Sequence, residues 1–324
     1  MKRLLSLVAA MGLSVGLMSN ALAAYPDKPV TIVVPFAADV LDDHALVVQT
    51  LAQHLGQVTR YLVGGAAGGT LGAAKVAKAS PDGYTLLLHH IGMATAPALY
   101  RKLPFNVMSD FEFLGMVNDV PMTIVGRTTL PANNFAELRK WVNDNKGKIN
   151  LANAGLGAAS HLCGLLFQQS LAVDMTTVPY KGTGPAMTDL IGGQVDLMCD
   201  QTTNTTAQIE GGKVTAFAVT TMKPLTTPAL AKLPTLESQG MKGFNVSIWH
   251  GLYAPKGTPK AVQDQINAAL RAALKDPEFI KRQEALGAVV VTDDRLNSAE
   301  HRKFVEAEIN KWGPAIKAAG QYAD

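Results

Sequence analysis

A short β-branched or apolar run, then a turn of small residues, then a stretch of helical spacing: this unit recurs along most of the chain and constrains its fold more than any other feature. Val30 to Pro35 reads as a strand, Leu46 to Leu55 as a helix and Tyr61 to Val63 as a strand. Gly64, Gly65, Gly68 and Gly69 open a helix through Leu71, Val76 and Ala77, and the turn Pro81-Asp82-Gly83 leads into a strand from Tyr84 to Leu88. The pattern then repeats. Strands are expected at 122–125, 149–152, 176–178, 195–199 and 214–219, with helices at 135–143, from Ser160, and at 185–191. Strand–helix alternation builds parallel sheets covered by helices on both faces, so the expected class is α/β with doubly wound sheets.

The end of the chain departs from this rhythm. After a strand around Val246 to Tyr253 come amphipathic helices, one with Val262, Ile266, Ala269, Leu270 and Ala273 on a single face, another with Phe304, Val305, Ile309 and Trp312. No partner strands are read after them, so they pack back on the first domain. Domain I is then discontinuous, 24–121 and 247–324, and domain II, 122–246, is inserted into it. The crossings fall near 118–121 and 244–249. Two such lobes joined by two strands make a hinged clamshell.

Lys2 and Arg3 precede an apolar run from Leu4 to Met18, and Ala21-Leu22-Ala23 is an A-x-A cleavage site. Residues 1–23 read as a secretory signal peptide cleaved near Ala23. No cysteine follows to carry lipid, and no later run is long enough to span a bilayer. A periplasmic location follows as the expectation. Without Lys2 and Arg3 the formal charge falls from +3 to +1, too little for nucleic acid or anionic lipid. Cys163 and Cys199 are either a disulfide, as that compartment permits, or two buried thiols.

The stretch Asn153 to Asp200 carries the chemistry. The turn Ala154-Gly155-Leu156-Gly157 follows an apolar strand and opens a helix at Ser160-His161. Backbone N–H groups and the positive end of a helix thus meet at one point suited to an anion. Ser160 can donate its hydroxyl there or act as an N-cap, or both. His90 ends a strand at the presumed cleft. Asp200 and Asn204, four residues apart after a strand end, share one face if helical and either line the cleft or cap the next helix. Trp249, on the second crossing segment, either packs the hinge or stacks on a ring-bearing ligand, with packing the favoured reading. Nothing here brings an attacking group. Ser160 and His161 are helix neighbours pointing about 100° apart, and Gly12-Leu-Ser14-Val-Gly16 lies in the leader. No metal ligand set or cofactor motif is read; an enzyme is not expected, and a carboxylate-processing hydrolase assembled from distant segments stands as the alternative.

Several pieces, in order, carry a resemblance. They are Y-P-D-K-P (25–29), V-V-P-F-A-A (33–38), G-A-A-G-G-T-L-G-A (65–73), P-D-G-Y-T-L-L (81–87), N-A-G-L-G-A-A-S-H-L (153–162), P-Y-K-G-T-G-P-A (179–186), D-L-I-G-G-Q-V-D-L-M (189–198) and G-L-Y-A-P-K-G-T-P (251–259). Together they resemble the Bug-type substrate-binding proteins of tripartite tricarboxylate transporters over essentially the whole mature chain. The resemblance implies a two-lobed periplasmic-binding-protein (Venus flytrap) fold and a monomer that closes on a small carboxylate, a di- or tricarboxylate or an aromatic acid, either handing it to membrane permease subunits or presenting it to a sensor kinase. It also implies that two loops pinch the carboxylate: Phe36-Ala37-Ala38 with Asp42, and Ala154 to Gly157 with Ser160. One departure stands out. After Pro35-Phe36 the family usually continues x-A-G-G-x-T-D, whereas this chain reads Ala37-Ala38-Asp39-Val40-Leu41-Asp42-Asp43, without the paired glycines and with three acids near the docking point.

Overall fold

A computed structural model describes residues 25–35, 43–56, 60–63, 69–320 and 322. The leader, the first-loop residues Phe36, Ala37, Ala38 and Asp42, and Gly64, Gly65 and Gly68 lie outside the described residues.

The first elements alternate as read: β1 (Thr31–Val34), α1 (Asp43–Leu55), β2 (Arg60–Val63), α2 (Thr70–Ala77) and β3 (Thr85–His90). Two elements escaped the reading. One is α3 (Gly92–Leu99), which holds Pro97. The other is the first half of β4 (Phe111–Gly126), a 16-residue strand expected only from Met122. Gly115, Asn118 and Asp119 interrupt its apolar run, so the first half shows no clear strand pattern. Then follow α4 (Phe135–Asp144), β5 (Asn150–Asn153), α5 (Ala159–Leu171), β6 (Thr176–Pro179), α6 (Thr183–Ile191), β7 (Leu197–Gln201), α7 (Thr202–Glu210), β8 (Thr215–Val219) and β9 (Ser247–Pro255). The chain ends with α8 (Lys260–Ala273), α9 (Pro277–Ala285), β10 (Val289–Val290) and α10 (Ser298–Ala319). β10 corrects the reading that no strand follows the terminal helices: it pairs antiparallel with Asp119 and Asn118 of β4.

The described strands form one sheet in the order β2-β1-β3-β9-β4-β7-β5-β6, with β8 and β10 also on β4. It is mixed rather than wholly parallel. β1, β2 and β3 run parallel to one another, as do β5, β6 and β7. β9 runs antiparallel to β3 and β4, and β4 antiparallel to β7, because the chain crosses between the two halves once in each direction. β4 belongs to both: from Phe111 to Pro121 it pairs with β9, and from Met122 to Gly126 with β7 and β8. Pro121, with no N–H to donate, stands where the partner changes.

The main apolar cluster is continuous through this junction. It includes Val33, Leu51 and Leu87 beside β1–β3, Val120 and Ile248 on the crossing strands, and Leu138, Leu162 and Phe167 beyond them. A smaller cluster under α6, with Val125, Ala152, Leu190 and Met198, covers the other face of β5 and β7. Cys163 and Cys199 form a disulfide with Cα atoms 5.9 Å apart, joining α5 to β7.

Candidate functional site

Register sets where a ligand can sit. β5, β6 and β7 end at one edge, and β4 enters there, since Met122 pairs with Gln201, the last residue of β7. On the other half β3 ends at His90, which pairs with His250 of β9; His250 in turn pairs with Asn118 of β4. The carboxyl ends of both parallel sets therefore converge on residues 118–122. Open α/β sheets bind ligands at such ends. The turn after β5 faces the opposite half: the Tyr100 hydroxyl, just past α3, lies 3.4 Å from Leu156 O. Gly157, at φ 81°, comes close enough that an added Cβ would stand 3.0 Å from that hydroxyl. A side chain there would meet both a left-handed backbone and a filled space.

The turn is internally wired. Gly155 N–H donates to Asn153 Oδ1 (2.9 Å), Ala154 N–H to Ser160 Oγ (2.8 Å) and Gly157 N–H to His161 Nδ1 (3.2 Å). Three of the amides read from sequence as anion donors are thus engaged by side chains of their own segment. The N–H groups of Leu156, Ala159 and Ser160 have no hydrogen-bond partner among the described residues. The N-cap of α5 is Ala158, not Ser160. Ser160 sits inside the first turn, 1% exposed. Its oxygen accepts from Ala154, which leaves its own proton to donate. The arrangement can hold an anion with backbone N–H groups and one hydroxyl.

Asp200 is buried at the end of β7. Gln201, not Asp200, is the N-cap of α7. Asn204 Nδ2 donates to Asp200 Oδ2 at 3.4 Å, and Thr123 of β4 places its hydroxyl 3.3 Å from Asp200 O and 2.8 Å from Thr205 Oγ1. Asp200 and Asn204 thus lie together beside the crossing.

Across the junction stand imidazoles. His44, the second residue of α1, packs edge-on to His250 at 4.6 Å between centroids, and His90 lies 6.1 Å from His250. The Nδ1 atoms of His89 and His90 accept the N–H groups of His90 and Gly92, both at 2.8 Å, which leaves the proton of each neutral ring on Nε2. Burial, then the neighbouring rings of His250 and His44, pushes the His89 pKa down to about 3; burial beside His89 holds His90 well below its ordinary value. His90 is therefore a neutral group. The reading missed His44, although it lies two residues beyond Asp42 at a helix start, and missed Tyr100 and Thr123, which no motif marks. Among the described residues no group of three or more His, Cys, Asp or Glu is arranged to hold a metal ion.

The model of the tripartite tricarboxylate transporter family receptor, TctC, matches residues 45–321. The chain belongs to that family. Three solved structures are similar to it throughout. The periplasmic binding protein BugD is 48% identical with a TM-score of 0.87, over 92% of this chain and 99% of BugD. MatC of Rhodopseudomonas palustris, with bound malate, is 35% identical with a TM-score of 0.84, over 90% and 100%. The R. palustris protein Rpa4515, with adipate, is 30% identical with a TM-score of 0.85, over 91% and 98%. The fold is the two-lobed one of periplasmic binding proteins.

In this TctC receptor the crossing strands are gripped on both faces. Asn118 and His250, paired in register, join through Nδ1···Oδ1 at 2.7 Å, and Asn118 Nδ2 donates to Gln283 Oε1 of α9, also at 2.7 Å. The next pair, Asp119 and Trp249, points the other way. Arg295 donates two bonds to the Asp119 carboxylate (3.0 and 2.7 Å), while Glu308 Oε2 of α10 accepts from both the Trp249 and Trp312 indoles (3.1 and 2.9 Å). Trp249 is packing for the crossing, as read.

Proposed function

We propose that this protein is exported with cleavage near Ala23, captures a small carboxylate between its two lobes in the periplasm, and delivers it to the permease subunits of a tripartite tricarboxylate transporter. The lobes are 24–121 with 247–324, and 122–246, bending where β4 changes partner. The observation that carries this is the start of α5: unpaired N–H groups and the Ser160 hydroxyl at the carboxyl end of β5, turned toward the Tyr100 side of the junction. The carboxylate is held there and by the first loop, Phe36 to Ala38 with Asp42. His90, Asp200 and Asn204 select the rest of the molecule, with His90 acting as a neutral donor. Malate in MatC and adipate in Rpa4515 support a di- or hydroxy-dicarboxylate class. A thermal-shift series with succinate, malate, adipate, citrate and benzoate tests it. At least one should raise the melting temperature progressively with concentration, by about 2.7 kcal/mol of stabilisation at a hundred times its dissociation constant. Flat curves across the panel would refute the reading.

A further inference from the structure

The last turn of α9 touches the opposite lobe away from the crossing strands. Thr227 Oγ1 donates to Glu284 O at 3.0 Å, and Thr206 of α7 shares its single proton between Thr202 O (2.7 Å) and Leu286 O (3.3 Å). Gly287, at φ 76°, fits so closely that an added Cβ would stand 2.8 Å from Leu230 Cδ1 and 3.0 Å from Thr202 Cβ. The contact is tight but incompletely satisfied. Thr202 Oγ1, facing Gly287, is buried with no hydrogen-bond partner among the described residues, and so is Gln283 Nε2 one turn back on α9. One good bond and one shared bond hold the contact, while the unpartnered Thr202 hydroxyl opposes it. An unpartnered buried hydroxyl costs somewhat more than a single neutral bond contributes, so against one full and one shared bond the terms nearly cancel.

We infer that the α9 turn Gln283–Gly287 is a latch between the lobes, poised so that the unliganded receptor exchanges between latched and unlatched forms. The latched form is the closed one, because the same structure brings Tyr100 to Leu156 across the cleft. Through Gln283 the latch is also bonded to Asn118, and through it to His250, on the crossing strands. It rests on the proposed two-lobed capture, but it can be read without any ligand.

Two shape-conserving substitutions should act in opposite directions. Thr202→Val removes the unpaired hydroxyl and favours the latch; Thr227→Val removes its best bond and disfavours it. Spin labels on Lys140→Cys and Lys303→Cys, both exposed and one on each lobe, report the interlobe distance in unliganded protein. The T202V distribution should shift toward the ligand-closed distance and the T227V distribution away from it. Dissociation constants for succinate, malate and adipate should fall in T202V and rise in T227V, by a common factor of about tenfold or less, the scale of one hydrogen bond. Distances unchanged in both variants, or moved in the same direction, would overturn the latch. If no carboxylate binds the wild type, the capture reading fails while the distance arm still tests the latch.

Discussion

Ser160 holds its turn together and keeps a proton with which it can serve a ligand. Its oxygen accepts the Ala154 N–H and its proton remains available. Ser160→Ala should weaken carboxylate binding by about 1.5–3 kcal/mol, roughly 10- to 150-fold, if the lost bond is charge-assisted. It should also lower folding stability by about 1 kcal/mol, because the Ala154 amide loses its acceptor. Calorimetric titration beside urea denaturation separates the two effects; a stability loss with unchanged affinity would remove Ser160 from the ligand set. The motif made Ser160 legible in sequence. It could not show that Asn153 and His161 turn back onto the amides of their own segment, since that competition between side chain and ligand depends on backbone angles within the turn. A second residue-scale expectation concerns acid. His89 and His301 are both held at about 3, chiefly by burial. Their folded values lie below the ordinary 6.5, so the unfolded chain binds the extra protons. The stability they contribute is fully present above pH 6.5 and is lost as pH falls toward 3, by up to about 1.4 kcal/mol per pH unit for each ring. Urea midpoints measured from pH 7.5 to pH 4.5 check this, and His301→Gln should flatten the slope.

Among the elements, those with clean periodicity were legible and those whose role depends on a partner were not. β1, β5 and α4 announce themselves: β-branched or apolar runs beside turns, and for α4 an Asn134 cap that accepts the Glu137 N–H. The first half of β4 does not, because the buried Asn118 and the half-buried Asp119 break its apolar run to bond Gln283 and Arg295. α3 is hidden by Pro97, and β10 is two residues long and exists only because β4 offers an edge. Sequence leaves the α5–β7 pairing open between a disulfide and two thiols, since no spacing fixes the distance between cysteines 36 positions apart. That bond ties the helix carrying Ser160 to the strand ending beside Asp200. The loop-closure relation gives about 4 kcal/mol for a loop of that length. The paired substitution Cys163→Ala with Cys199→Ala should therefore lower stability by about 2–4 kcal/mol, read from urea unfolding of oxidised protein. A difference below about 0.5 kcal/mol would mean that packing alone already fixes α5 on the sheet.

At the scale of the molecule, two lobes share one sheet and most of one core. The strand–helix rhythm foretold two α/β lobes and a return of the chain, but the arrangement of the crossing is a tertiary fact: β9 lies between β3 and β4, and β4 continues unbroken into the second lobe. This bears on how the receptor unfolds. Lobes joined by a flexible linker would melt independently. Here the apolar cluster runs from Leu51 through Val120 and Ile248 to Leu138 and Phe167, so opening one lobe strips apolar cover from the strands of the other. The hinge bending proposed above is compatible with this, because it needs only a few backbone rotations near the change of partner, with both packed halves moving as bodies. A single cooperative unfolding transition is expected. The three tryptophans report on different places: Trp141 in α4 of the second lobe, Trp249 on the crossing and Trp312 in α10. Leaving Trp141 alone, by Trp249→Phe with Trp312→Phe, or removing it, by Trp141→Phe, gives one fluorescence probe for each side. In urea the two midpoints should coincide with each other and with far-UV circular dichroism, once each variant's own stability change is taken from its dichroism curve. Fluorescence and dichroism midpoints that separate within one variant would mean that the lobes unfold apart and that the shared cluster does not couple them.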